Sequence, residues 1–192
     1  MSLAVRKTRL LPVFRQRGMW YNPHMKAVSE SFVHPFPPVF DARSRTLVLG
    51  TFPSSKSRET GFYYGHLQNR FWRVLAGVYG ESAPESIAQK RTLLLAHGIA
   101  LWDVLKSCEI AGSADASIRN AVPNDIAGLL RKTGISRVLA NGRAAHALYM
   151  KYIYAQTGVA ALLLPSTSPA NAARSLWELT ELWRDALLEE EV

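Results

Sequence analysis

Residue types able to do chemistry gather at two places in this chain, and each follows directly on an apolar run. The first is Gly50-Thr51-Phe52-Pro53-Ser54-Ser55-Lys56-Ser57, continued by Phe62-Tyr63-Tyr64-Gly65-His66-Leu67-Gln68-Asn69-Arg70-Phe71-Trp72. A Gly/Pro/Ser loop that combines hydroxyls, a lysine, stackable tyrosines and a side-chain amide suits a ligand that is anionic and flat, as a nucleotide is. The second is Leu164-Pro165-Ser166-Thr167-Ser168-Pro169-Ala170-Asn171. Hydroxyls and backbone amides in such loops hold phosphate oxygens. Pro165 and Pro169 stiffen the second loop, and a stiff loop of small residues either wedges into a duplex or caps a helix. Capping is the ordinary role for Ser168 or Asn171.

The elements that must position these loops alternate. Thr46-Leu47-Val48-Leu49-Gly50 reads as a buried strand, and residues 69–79 as a helix with Phe71, Leu75 and Val78 on one face. Residues 86–97 form a second helix closed by Gly98. Strands are expected at 99–104, 136–141 and 159–164. Helices are expected from Pro123-Asn124-Asp125 through Lys132, over 143–155 and over 172–190. The last carries Leu176, Leu179, Trp183 and Leu187 as a stripe. Four short strands separated by helices predict a three-layer α/β/α fold on a central four-stranded, mainly parallel sheet. In such a sheet, ligands bind at the loops leaving the carboxyl ends of the strands, where both clusters fall.

Composition sets the bounds. At 192 residues with 48% hydrophobic and 20% charged residues, the chain suits one globular domain. The single cysteine, Cys108, allows no internal disulfide and fits a reducing, cytoplasmic setting as an inert small residue. No apolar run reaches the length of a membrane span. The five histidines and one cysteine show no metal-ligand spacing, and no glycine-rich phosphate cradle ends in Lys-Ser/Thr, so neither metal nor cofactor is expected. The net charge is +8. Residues 1–40 hold Arg6, Lys7, Arg9, Arg15, Arg17 and Lys26 against Glu30, while Glu189-Glu190-Glu191 counter at the other end. A surplus of this kind is either a solvated face or an attraction to a polyanion. Residues 1–33 carry no clear period and read as a basic extension. His34-Pro35-Phe36-Pro37-Pro38 is stiff, non-helical lead-in to a single domain over 34–192.

The two clusters, taken in order, resemble the uracil-DNA glycosylase superfamily, and within it most closely the hypoxanthine (deoxyinosine) DNA glycosylases. The resemblance runs over about residues 34–188. It implies a monofunctional DNA repair glycosylase acting on a deaminated base, most of all hypoxanthine in deoxyinosine, by base flipping and water activation. DNA is the implied partner and a monomer the implied state. A uracil or broad-specificity glycosylase is the alternative, and a non-catalytic nucleic-acid binding module on the same fold is the rival of another class.

The resemblance also distributes roles. Many relatives carry a polar catalytic residue where Phe52 stands, and several carry an oxyanion-stabilising histidine where Leu164 stands. It therefore moves the catalytic amide to Asn69, read from sequence alone as a helix cap. An amide is no strong base, so its implied task is positioning rather than proton abstraction. Tyr64 is placed against the flipped base, with Phe52, Gly50, Thr51, Pro53 and His66 completing the pocket. Ser54, Lys56, Ser57, Arg70, Ser166, Thr167, Ser168, Pro169, Ala170 and Asn171 are placed on the DNA. Leu67 stands where the pattern has proline. Asp103 reads as a loop-bracing carboxylate that could help position water. Asn141-Gly142-Arg143 reads as a helix cap with a phosphate contact. The chemistry tolerates the missing histidine if the base is a purine. Uracil departs as an anion, whereas hypoxanthine can accept a proton or hydrogen bond at N7. No lysine is placed as a Schiff-base nucleophile, which implies an abasic product and an intact strand.

Overall fold

A computed structural model describes residues 30–110 and 117–188 in full, preceded by the backbone of two short strands, β1 (Arg15–Gln16) and β2 (Met19–Trp20), paired antiparallel. The remainder of the expected basic extension and Glu189-Glu190-Glu191 lie outside the described residues.

Four apolar segments build the central sheet: β4 (Thr46–Gly50), β5 (Ile99–Asp103), β8 (Arg137–Asn141) and β9 (Ala161–Leu164). Their order is β5-β4-β8-β9 and every pairing is parallel. Parallel strands covered on both faces lack the polar alternation of a half-exposed strand, which is why β4 reads as one apolar run. Alternation still sorts the side chains. Val48, Leu101, Leu139 and Leu164 face one helical layer, and Leu47, Leu49, Ala100, Val138, Ala140 and Ala161 face the other.

The first layer holds α2 (Phe71–Tyr79), α3 (Ile87–Ala96) and α7 (Leu176–Leu188). Phe71, Leu75 and Val78 are buried, as the spacing predicts. Of the expected closing stripe, Leu179, Trp183 and Leu187 are buried. Leu176 is 37% exposed, because the helix begins at that residue rather than at 172. The second layer holds α4 (Ile126–Lys132), α5 (Arg143–Tyr152) and the short α6 (Tyr154–Thr157). The helix expected over 143–155 is thus two pieces, divided at Ile153.

Two features depart from the expected pattern. Residues 55–60, expected as loop, form a one-and-a-half-turn helix, α1 (Ser55–Thr60). It has no apolar face to announce it and is nucleated by the Ser54 cap, whose side chain accepts from Ser57 N–H. A second, antiparallel sheet of order β3-β6-β7 joins β3 (Glu30–Val33), β6 (Leu105–Ile110) and β7 (Arg119–Pro123). The boundary expected after residue 33 therefore falls at the end of a strand bonded into the domain. Only Val104 separates β5 from β6, so the chain passes from one sheet into the other at Asp103.

Candidate active site

The carboxyl ends of β4, β5 and β8 converge on a cavity of about 440 Å³. Gly50, Thr51, Phe52, Pro53, Ser54, Ser57, Tyr63, Tyr64, Asn69, Asp103, Asn141, Ser166, Ser168 and Ala170 line it. Both loops singled out by residue type thus contribute to its lining. The sheet adds Asp103 and Asn141, each the polar last residue of an apolar strand.

Asn69 is held by a chain of hydrogen bonds whose directions are all determined. Asn141 Oδ1 accepts from the Thr167 backbone N–H at 2.9 Å, so its Nδ2 is the atom that donates to Thr167 Oγ1, also at 2.9 Å. The Thr167 hydroxyl then spends its proton on Asn69 Oδ1 at 3.0 Å. That oxygen also accepts from Phe71 N–H at 3.0 Å, an Asx cap on the first residue of α2. With Oδ1 occupied from two sides, Asn69 can offer the cavity only its Nδ2–H donors. The capping and site readings of Asn69 are therefore one arrangement. Thr167, expected on DNA, is fully buried and serves this chain.

Tyr64 lines the cavity with its ring stacked on Phe71, centroids 4.0 Å apart. Its φ of 52° lies in the left-handed region. For a bulky residue that costs on the order of 1–3 kcal/mol, a strain that recurs at ligand sites. Tyr63 donates its hydroxyl to Pro37 O at 3.0 Å. Burial, reinforced by the Asp103 carboxylate, pushes the Tyr63 phenol far above its ordinary range.

Asp103 supplies the only charged side chain among the described lining residues. It is 4% exposed. Its backbone is pinned by Asn124 Nδ2, which donates to Asp103 O at 2.9 Å, and by Val104 N–H donating to Gly50 O. Gly50 pairs with Asp103 in the parallel register, and a Cβ there would sit 2.1 Å from Asp103 Oδ1 and 3.0 Å from the Tyr64 hydroxyl. Only glycine permits that approach. Asp103 Oδ2 takes a hydrogen bond from His34 Nε2 at 2.9 Å. The antiparallel sheet delivers this histidine, since His34 N–H donates to Lys106 O just beyond the β3–β6 pairing.

Other expected contacts fall elsewhere. His66 is exposed, its Nδ1 accepting from Gln68 N–H, and it shapes the turn before Asn69 without lining the cavity. Lys56 pairs with Glu59 at 2.7 Å on the exposed side of α1. Arg70 donates to the backbone carbonyls of Ser168, Asn171 and Arg174, so its guanidinium clamps the second loop from within. Asn171 Nδ2 donates to Ser166 O, and Ser166 and Ser168 Oγ accept from the N–H groups of Ser168 and Ala170. These bonds fix the loop as a rigid unit, with Pro169 at its outer turn. Leu164 is 5% exposed and packs in the core, so no polar group stands at that position. On the other flank of the loop lies a cleft of about 700 Å³ bearing Arg143 and Arg174.

Sequence reasoning gave Asp103 and Asn141 lesser parts and missed His34. The available signal was a polar residue ending an apolar strand, at the sheet edge where ligands bind. Among the described residues, no group of His, Cys, Asp or Glu side chains could hold a metal ion, and no helix is long and apolar enough to cross a membrane.

Comparison with known proteins follows the same residues. A family model described as the uracil DNA glycosylase superfamily matches residues 37–187. A hypoxanthine DNA glycosylase of Methanosarcina acetivorans is 35% identical over 138 residues, covering 71% of this chain and 86% of the relative. Another, of Methanosarcina barkeri, is 33% identical over 153 residues, covering 79% and 95%. A solution NMR structure of a candidate uracil DNA glycosylase from Methanosarcina acetivorans superimposes with a TM-score of 0.68 at 32% identity. It covers 81% of this chain and 98% of that one.

Proposed function

The chain belongs to the uracil DNA glycosylase superfamily, and on that premise we propose that it is a DNA repair glycosylase releasing a deaminated base, hypoxanthine in deoxyinosine foremost. The names of its two Methanosarcina relatives support the choice of base. The observation that carries the reading is the cavity itself, whose lining brings together a ring backed by Phe71 and an amide of fixed polarity around a space of small-ligand size.

The target nucleotide turns out of the stack into this cavity, at a cost of a few kcal/mol that is lowest for damaged or mispaired bases. Tyr64 and Phe52 wall the base. Asn69 Nδ2 donates to the oxygen of the attacking water and holds it beneath C1′, leaving a lone pair free for attack. The C1′–N9 bond breaks with its electron pair going to the purine, and the water oxygen bonds to C1′. One water proton stays on the new hydroxyl and the other ends on the released base. No lysine is among the described lining residues, which favours hydrolysis to an abasic site over strand cleavage. The second loop sits between the base cavity and the arginine-bearing cleft, a position suited to holding the strand on both sides of the flipped nucleotide. We take the protein to act as a monomer without cofactor, in a cytoplasmic setting with which its single cysteine agrees.

The test is base release from matched oligonucleotides carrying deoxyinosine, deoxyuridine, deoxyxanthosine or no lesion, with alkali to reveal abasic sites. Alkali-dependent cleavage at deoxyinosine, reduced about 10²-fold or more in Asn69→Ala, is expected. Cleavage mainly at deoxyuridine would overturn the choice of base. Tight DNA binding with no release of any base would overturn the enzyme reading in favour of a binding module.

A further inference from the structure

We infer that Asp103, held in place by a neutral His34, is the specificity-determining residue of the pocket: its fixed negative charge selects a leaving base that departs without taking on negative charge. This deepens the glycosylase reading and rests on it.

A backbone proton fixes the tautomer of His34. Phe36 N–H donates to His34 Nδ1 at 3.1 Å, so Nδ1 carries a lone pair. The ring proton is then on Nε2, the atom 2.9 Å from Asp103 Oδ2. His34 is therefore a neutral donor, and the contact is a hydrogen bond that leaves the carboxylate its full charge. The two side chains are 2% and 5% exposed. The rings of Phe36, Phe52 and Tyr63 surround the imidazole at 5.6–5.8 Å. With Oδ2 taken, Oδ1 is turned toward Gly50 and the cavity, and no hydrogen bond among the described residues occupies it.

No lysine or arginine among the described residues lines the cavity to offset this charge. The pocket is thus negative at its floor, and it stabilises positive charge developing on the sugar as the glycosidic bond breaks. The same charge repels a pyrimidine that leaves as an anion. It tolerates a purine that accepts a proton or hydrogen bond on its imidazole ring as it departs. The apolar Leu164 adds no donor that would rescue the anion.

Two measurements test this on Asp103→Asn, which keeps the shape and the acceptor for His34 while removing the charge. The first is the ratio of kcat/KM for deoxyinosine over deoxyuridine, expected to fall about tenfold or more. That is below the 10²–10³ of a single oxyanion-hole donor, because the cavity is open to water. The second is affinity for duplexes carrying a cationic pyrrolidine or a neutral tetrahydrofuran abasic analogue. Wild type should prefer the cationic analogue about tenfold. Asp103→Asn should lose that preference while binding the neutral analogue as before. An unchanged base ratio with an unchanged preference for the cation would overturn the inference. So would equal loss of both activities together with loss of neutral-analogue binding, the mark of a structural role. His34→Gln, which keeps a donor at that reach, should retain the ratio that His34→Leu lowers; a wild-type ratio in His34→Leu would overturn the positioning role. Wild-type protein that releases neither base would overturn the glycosylase reading itself. Deoxyinosine release with an unchanged ratio in Asp103→Asn defeats the present inference alone.

Discussion

At the scale of the residue, the polarity of Asn69 decides what its amide can do. Two donors meet Oδ1, so only Nδ2 faces the cavity. Asn69→Asp should then lose base release nearly as fully as Asn69→Ala, because the substituted carboxylate keeps both donors but presents an acceptor where a donor is required. Single-turnover rates for the two variants check this; near-wild-type release by Asn69→Asp would show that the amide serves as an acceptor after all. Thr167→Val removes the hydroxyl between Asn141 and Asn69, leaving buried polar atoms unpaired at about 1–3 kcal/mol. It should lower kcat more than it raises KM. As a helix cap Asn69 was legible from the residues alone, and as a catalytic amide only through the resemblance, since Gln68 stands beside it in the same loop. The polarity of Asn69 was not legible, because it depends on a threonine 98 positions away.

At the scale of the element, the second loop is held by groups that sequence reasoning directed outward. Arg70 spends its guanidinium on carbonyls of Ser168, Asn171 and Arg174, so Arg70→Ala should free several backbone groups and loosen the loop. The expected signs are faster amide exchange across residues 166–174 and a stability loss of about 1–3 kcal/mol, seen by thermal unfolding. An arginine beside a serine-rich loop looks like a phosphate ligand, because sequence does not say which way a long side chain turns. The β6–β7 ribbon was hidden for a different reason. Leu105–Ile110 alternates in burial but continues directly from the apolar β5, and the two strands merge into one apparent run. The parallel strands and the faces of α2 and α7 were legible because burial on the sheet imposes their periods directly.

At the scale of the molecule, charge governs encounter with DNA. The net charge of +8 predicts salt-sensitive binding, the slope of log affinity against log salt falling by about 0.9 for each phosphate contact removed. Residues 1–29 contain six basic and no acidic side chains. Deleting them should weaken binding more at low salt than at high, whereas a cut after residue 33 should also destabilise the domain by removing β3. Equal slopes with and without residues 1–29 would assign the recognition charge to the folded domain, where Arg143→Ala or Arg174→Ala should then shallow the slope. The layered architecture was readable because four apolar runs alternate with helices. The second sheet was not, since its first strand lies in a stretch with no apolar period and pairs across more than 70 positions.

The Phe36 N–H that fixes His34 belongs to a proline-bounded segment, none of whose residues lines the cavity. Lesion preference is thereby placed partly under the control of a piece of chain that never touches the lesion. A lineage that alters Pro35 or Pro37 and tilts that one amide frees the Nδ1 lone pair of His34 to take a second proton, and a cationic His34 offsets the charge the pocket presents. Every residue facing the base would be kept. In evolutionary terms, such an enzyme can move from one damaged base to another by drift in its lead-in segment, and comparison of pocket residues alone would not register the change.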